Sequence, residues 1–189
     1  MTKEDNDLRI KQFLRHAHSS SLEEFIECYP SPVLVVKSGL CESDEGFLTQ
    51  LAEPVEDFEK MKTATRFDPN ARVFQIEKRP GSNPYSKMVI LGRAPNSDIV
   101  LQSSEVSKMH AYFIWADSPE GKTYKVVDGN SSNGTWFAGT RLPPYKPCHL
   151  KNGDFLGFGS SILTRFFYPT DFFLALLRAS VTSGSPIAR

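Results

Sequence analysis

The sequence predicts an all-β sandwich with a mostly helical N-terminal extension and a short C-terminal helix. Three observations lead there. Between residues 66 and 168, short runs rich in β-branched and aromatic residues alternate with turn signals, the pattern of a sandwich. Before residue 66, apolar residues recur instead at helical spacing. After residue 168, Phe172, Phe173, Leu176 and Leu177 form one more helical stripe. The chain therefore divides into residues 1–65, 66–168 and 169–189.

Residues 3–17 read as an amphipathic helix, with Ile10, Phe13, Leu14 and Ala17 on one face. Ser21-Leu22-Glu23-Glu24 is a capping box that opens a second helix. Leu22, Phe25, Ile26 and Tyr29 form its stripe, and Pro30 and Pro32 stop it. Val33 to Val36 reads as a short strand, and Leu51 to Met61 as a third helix in an acidic, weakly patterned stretch. The expected sandwich strands are Val73–Ile76, Met88–Leu91, Ile99–Leu101, His110–Trp115, Tyr124–Val127, Thr135–Phe137 and Ile162–Phe167. Turn signals such as Pro80-Gly81, Asn133-Gly134 and Asn152-Gly153-Asp154 separate them. A helix over Asp171 to Ala179 precedes a Ser/Gly tail that reads as disordered. The helical stripes suit packing on one another, packing on the sandwich, or a partner surface.

Composition excludes several classes. The 189 residues carry 22 basic and 22 acidic side chains, and a zero net charge argues against a dedicated nucleic-acid binder. The charge is unevenly spread: residues 1–65 carry −6, residues 66–168 carry +5 and residues 169–189 carry +1. Such asymmetry fits a charged ligand on the middle part, or simply helices and strands made soluble in different ways. Three widely spaced Cys make neither a disulfide framework nor a metal site, which suits a reducing compartment and a cytoplasmic protein. The polar N-terminus lacks a signal-peptide core, and no apolar run approaches a membrane span, so no membrane insertion is expected. There is no Walker, zincin or Cys-x-x-Cys motif, hence no metal or cofactor. Ser107, His110 and Asp128 are the residue types of a hydrolase triad, but no nucleophile elbow holds the Ser. Cys148-His149 would point to opposite faces of a strand. A non-enzyme is expected.

Three segments stand out at strand ends: Gly92-Arg93, Ser107-Lys108-Met109-His110 and Ser131-Ser132-Asn133-Gly134-Thr135. Loops at one end of a sandwich can converge. Together they would offer a guanidinium, an ammonium, hydroxyls and an amide, a set suited to a phosphate on a peptide. Arg supplies a planar fork for phosphate oxygens. The Asn amide both donates and accepts, so it can hold a peptide main chain. Alternatives stay open: Lys108 reads equally as a solvated charge, Ser107 as a turn cap, and Asn133-Gly134 as an ordinary turn.

The order and spacing of Gly-Arg, Ser-x-x-His and Asn-Gly resemble the forkhead-associated (FHA) family. The segments that carry the resemblance are LGRAPNSDIVL (91–101), EVSKMHAYF (105–113), DGNSSNGTWFAG (128–139) and LKNGDFLGFG (150–159). The resemblance implies a β-sandwich that binds phosphothreonine peptides through its loops, acting as a signalling adaptor. It implies that Arg93 and Ser107 hold the phosphate, with Lys108 directed to phosphate or peptide. Ser132 lies beside the phosphothreonine, and Asn133 holds the peptide backbone. Gly92, His110 and Gly134 match positions that shape the loops. Two departures are visible. Lys108-Met109 replaces a frequent pair of basic residues, and Ser132 replaces a frequent Thr. A pocket that contacts the threonine methyl gains about 1–3 kcal/mol over phosphoserine.

The implied partner is a threonine-phosphorylated protein, such as the substrate of a Ser/Thr kinase. Family members often read the position three residues after the phosphothreonine. Thr2 is followed by Asp5 at that spacing, which would make phospho-Thr2 an internal ligand. A phosphate-independent scaffold role is the alternative, motivated by the reduced charge at Lys108-Met109.

Overall fold

A computed structural model describes residues 8–36, 67–119 and 121–179. It is a sandwich of two sheets with a layer of helices on one outer face. Helices α1 (Ile10–Ser19) and α2 (Leu22–Cys28) come first, followed by strands β1 (Val33–Val36), β2 (Val73–Gln75), β3 (Val89–Gly92) and β4 (Ile99–Val100). A long hairpin of β5 (Ala111–Ser118) and β6 (Gly121–Asp128) leads to β7 (Thr135–Phe137) and β8 (Thr140–Arg141). Strands β9 (Cys148–His149), β10 (Phe155–Phe158) and β11 (Ile162–Phe167) precede α3 (Pro169–Arg178).

One sheet runs β2-β1-β11-β10-β7-β8, and the other β4-β3-β5-β6-β9. The pairings are antiparallel except for β3 with β4. Between the sheets lies a core that includes Leu34, Leu91, Phe113, Val126, Leu156, Phe158 and Phe166. A second core lies between the six-stranded sheet and the helices. There Phe13, Phe25, Phe172, Phe173 and Leu176 pack with Val33, Val35, Val73 and Phe167. Adjacent strand residues point to opposite faces, so Leu34 and Phe166 enter one core while Val33, Val35 and Phe167 enter the other. Burial on both faces is why β1 reads as an unbroken apolar run.

The segment before residue 66 therefore contains a strand of the sandwich: β1 pairs on one side with β2 and on the other with β11. The helical stripes face a core, with Ile10, Phe13, Leu14 and Ala17 all buried. Helix α1 starts at Ile10 because Leu8 and Arg9 are extended along β2. The amide of Val73 donates to the Leu8 carbonyl (2.8 Å), and Arg9 forms a β-bridge with Arg72. Ser20 Oγ then donates to the His16 carbonyl (2.7 Å) at the C-terminal end of α1. The capping box forms as expected: Ser21 Oγ accepts from the Glu24 amide, and the Glu24 carboxylate accepts from the Ser21 amide (2.8 Å). The expected helix over Leu51–Met61, Thr2 with Asp5, and the Ser/Gly tail lie outside the described residues. No described helix is long and apolar enough to cross a membrane.

Phe172 shows how the helices are held. It is 0% exposed and packs edge-on to Phe13, with ring centroids 5.3 Å apart, and beside Phe167 at 5.7 Å. Phe172→Ala should destabilise the fold by about 3–5 kcal/mol, visible as a lower urea midpoint. A loss below about 1 kcal/mol would mean that the helical layer contributes little to the cooperative unit.

Candidate functional site

The segments singled out in the sequence meet in space. The first contact needs glycine. A Cβ on Gly92 would collide with the Lys108 carbonyl oxygen. Without it, the Arg93 amide donates to the Ser107 carbonyl (3.0 Å) and the Ala94 amide to the Lys108 carbonyl (3.2 Å). The Arg93 loop is thus zipped to the Ser107 loop. Its far end is pinned by Asp98, whose side chain is 0% exposed and pairs with Lys78 at 2.8 Å. Burial alone would raise the Asp98 pKa. Hydrogen bonds from Lys78, Ser82, the Ile90 amide and Asn83 outweigh it and hold the carboxyl below its ordinary value.

His110 makes the second contact. It is 0% exposed. The Ser107 amide donates to His110 Nδ1 at 3.1 Å, which puts the ring proton on Nε2. Nε2 then donates to the Gly134 carbonyl at 3.0 Å. One imidazole therefore holds the Ser107 loop and the Gly134 turn at a fixed separation. The turn itself is built on Asp128, which is 2% exposed. Its carboxylate accepts from the Ser131 hydroxyl (2.6 Å), the Ser131 amide (3.1 Å) and the Thr135 hydroxyl (2.6 Å). Gly134 has φ +85°, a left-handed conformation that glycine adopts without strain.

On this frame the polar groups converge. Ser107 Oγ accepts from the Ser132 amide at 3.1 Å, and the two hydroxyl oxygens lie 3.5 Å apart. That hydroxyl contact is too long to hold the Ser107 proton firmly. Arg93, Lys108, Ser132 and Asn133 are exposed around it, and Ser107 is half-buried. Of the sequence-predicted site residues, Ser107, Ser132 and Asn133 are brought together directly. Arg93 and Lys108 border them through the zipped loops, and Gly92, His110 and Gly134 supply the scaffold.

Two neighbours had no role in the sequence reading. Glu105 accepts from Asn133 Nδ2 through its carbonyl (2.9 Å) and its carboxylate (3.1 Å), and Ser160 Oγ donates to the same carboxylate (2.6 Å). Arg141 lays its guanidinium against Gly134, with Nη2 3.5 Å from the Ser132 carbonyl. The signal for Arg141 was the Phe137-Ala138-Gly139-Thr140 hairpin. Ala138 (φ 45°) and Gly139 (φ 82°) are both left-handed, which returns the chain so that Arg141 pairs with Trp136. For Glu105, spacing alone offered no signal.

The hydrolase residues do not form a relay. Both His110 ring nitrogens bond backbone groups, and the Asp128 carboxylate is engaged by Ser131 and Thr135. Among the described residues, no group of three His, Cys, Asp or Glu could hold a metal ion.

The FHA domain family model matches residues 89–159. The chain carries an FHA domain. It is similar to FHA domain-containing protein PS1 of Arabidopsis thaliana, 30% identical over 98 residues, and to E3 ubiquitin-protein ligase rnf8 of Danio rerio, 35% identical over 75 residues. These matches take in 49% and 38% of this chain but only 6% and 15% of those proteins. The chain thus spans a small fraction of the curated relatives it matches. A solved yeast Dun1 FHA domain, in complex with a doubly phosphorylated (pT) peptide derived from Rad53 SCD1, is similar at 19% identity. Its TM-score is 0.48, with 84% of this chain and 85% of that one covered. FHA domains are non-catalytic modules that bind phosphothreonine through Arg-containing loops.

The His110 clamp makes the FHA domain pH-sensitive in a defined direction. Burial lowers the His110 pKa, outweighing the bond to Gly134 and the Asp128 charge, both of which raise it. Below about pH 6.5 an unfolded His110 takes a proton that the folded one refuses. Stability from this group is full above that pH and falls as pH drops toward the folded pKa. Urea titrations at pH 7.5 and 5.5 should show the decrease, and His110→Gln should lack that component. An equal pH dependence in both proteins would overturn the assignment.

Proposed function

We propose that this FHA domain reads phosphothreonine on a protein partner as a non-catalytic signalling adaptor. The observation that carries the reading is the Ser107–Ser132 pair. The Ser132 amide occupies one lone pair of the Ser107 hydroxyl, which orients the hydroxyl and leaves its proton for a phosphate oxygen. Arg93 and Lys108 border that point as exposed cations. The phosphate is bound rather than cleaved, because the imidazole nearest to it is committed at both nitrogens and buried. Asn133 Nδ2 is directed to Glu105, so its Oδ1 is the atom offered to a peptide N–H. The partner is a threonine-phosphorylated protein, such as a Ser/Thr kinase substrate, met in the cytoplasm.

Arg93→Ala should weaken a phosphothreonine peptide by at least about tenfold, since a charge-assisted hydrogen bond contributes about 1.5–3 kcal/mol. Fluorescence anisotropy with phosphorylated, phosphoserine and unphosphorylated versions of one peptide library would read this. A circular dichroism melt should show the fold unchanged, because Arg93 is exposed. Binding that survives phosphatase treatment of the ligand would instead support a phosphate-independent scaffold.

A further inference from the structure

Arg141 was not among the site residues read from the sequence, yet its guanidinium rests on the turn that presents Ser132 and Asn133. The β7–β8 hairpin carries it there: Phe137 pairs with Thr140 and Trp136 with Arg141, and the Leu142 amide donates to the Thr135 carbonyl at 2.8 Å. A Cβ on Gly134 would collide with Arg141 Nε, so the turn leaves room for the guanidinium. Its polar contact is one long bond, from Nη2 to the Ser132 carbonyl at 3.5 Å. That contact uses one of five N–H donors and leaves the positive charge without a carboxylate among the described residues. The residue is exposed. Glu105, the acid at this site, is engaged elsewhere, between Asn133 and Ser160. One residue, Ser132, separates the guanidinium from the Ser107 hydroxyl. A phosphate held at Ser107 is therefore separated from this charge by the length of Ser132 alone.

We propose that Arg141 is a specificity-determining residue that pairs with a carboxylate side chain flanking the phosphothreonine. This rests on the phosphothreonine reading. The phosphate has its own donors in Arg93, Ser107 and Lys108. Arg141, on the far side of Ser132, is placed for the neighbouring side chain. A planar fork prefers a carboxylate there, which it can engage through two parallel bonds. The preferred ligand is thus an acidic phosphothreonine peptide, and the preference originates in β8.

The test uses the full chain and phosphothreonine peptides in matched pairs, with Glu or Lys at each of the three positions on either side. Wild type should favour Glu over Lys by about tenfold at one position. Arg141→Glu should reverse that preference at the same position, and Arg141→Gln should erase it. Equal loss across all peptides would show that Arg141 only supports the turn, overturning the proposal. Unchanged affinities in both variants would overturn it as well, while the phosphothreonine reading would stand. If wild type bound no phosphothreonine peptide, both readings would fall together. A melting curve for each variant separates these outcomes from misfolding.

Discussion

The site depends on one buried imidazole. His110 joins a backbone amide of one loop to a backbone carbonyl of another, and each bond requires the other. A neutral imidazole has one donor and one acceptor nitrogen, so the Ser107 amide and the Gly134 carbonyl can both be satisfied only in a single tautomer. Full burial removes water as a substitute partner, so losing either bond would leave a costly unpaired group. The clamp thus joins two turns into one rim. It also explains why Ser107, His110 and Asp128 sit together without forming a relay: both imidazole nitrogens are occupied in holding the two loops.

A second dependence runs through the helical layer. The six-stranded sheet has apolar residues on both faces, with Leu34 turned inward and Val33 and Val35 outward. A sheet that is apolar on both faces must be covered on both. Helices α1, α2 and α3 supply that cover through Phe13, Phe25, Phe172 and Phe173. The ring contacts are tilted or edge-on, as between Phe25 and Phe173 with centroids 5.2 Å apart. The segments on either side of the FHA match, which include β1 and β11 as well as the helices, therefore share one core.

Much of this was legible in the sequence, for reasons that can be named. The capping box at Ser21 was readable because its two bonds are local, three residues apart. The strands β5, β6 and β11 were readable because they are long enough to show a pattern. The strands β8 and β9 have two residues each and carry no period. The strand β10 was obscured by Gly157 within it and by turn residues on both sides, although all four of its residues are buried. The membership of β1 in the sandwich could not be read because its partners are far away in sequence. The same limit governs the site. Arg93, Ser107 and Ser132 were found by motif, whereas Arg141 is signalled only through its hairpin and the Glu105 contact with Asn133 is one that spacing does not encode.

The charge of the FHA region gains meaning from burial. Residues 66–168 carry a net +5, but their acids and bases are not equally presented. Asp128 is 2% exposed and Asp154 5% exposed, and the Asp98 side chain is sealed. Asp98 and Asp128 hold loops together through hydrogen bonds rather than facing a ligand. Arg93, Lys108 and Arg141 are by contrast exposed at one rim. That rim is therefore more cationic than the chain's zero net charge suggests. A field of that sign speeds encounter with an anionic ligand, and salt weakens it over a Debye length of about 8 Å at physiological ionic strength. The zero net charge of the whole chain comes from residues 1–65, whose −6 offsets the +5 of residues 66–168 and the +1 of residues 169–189, so it is compatible with a cationic rim on the sandwich.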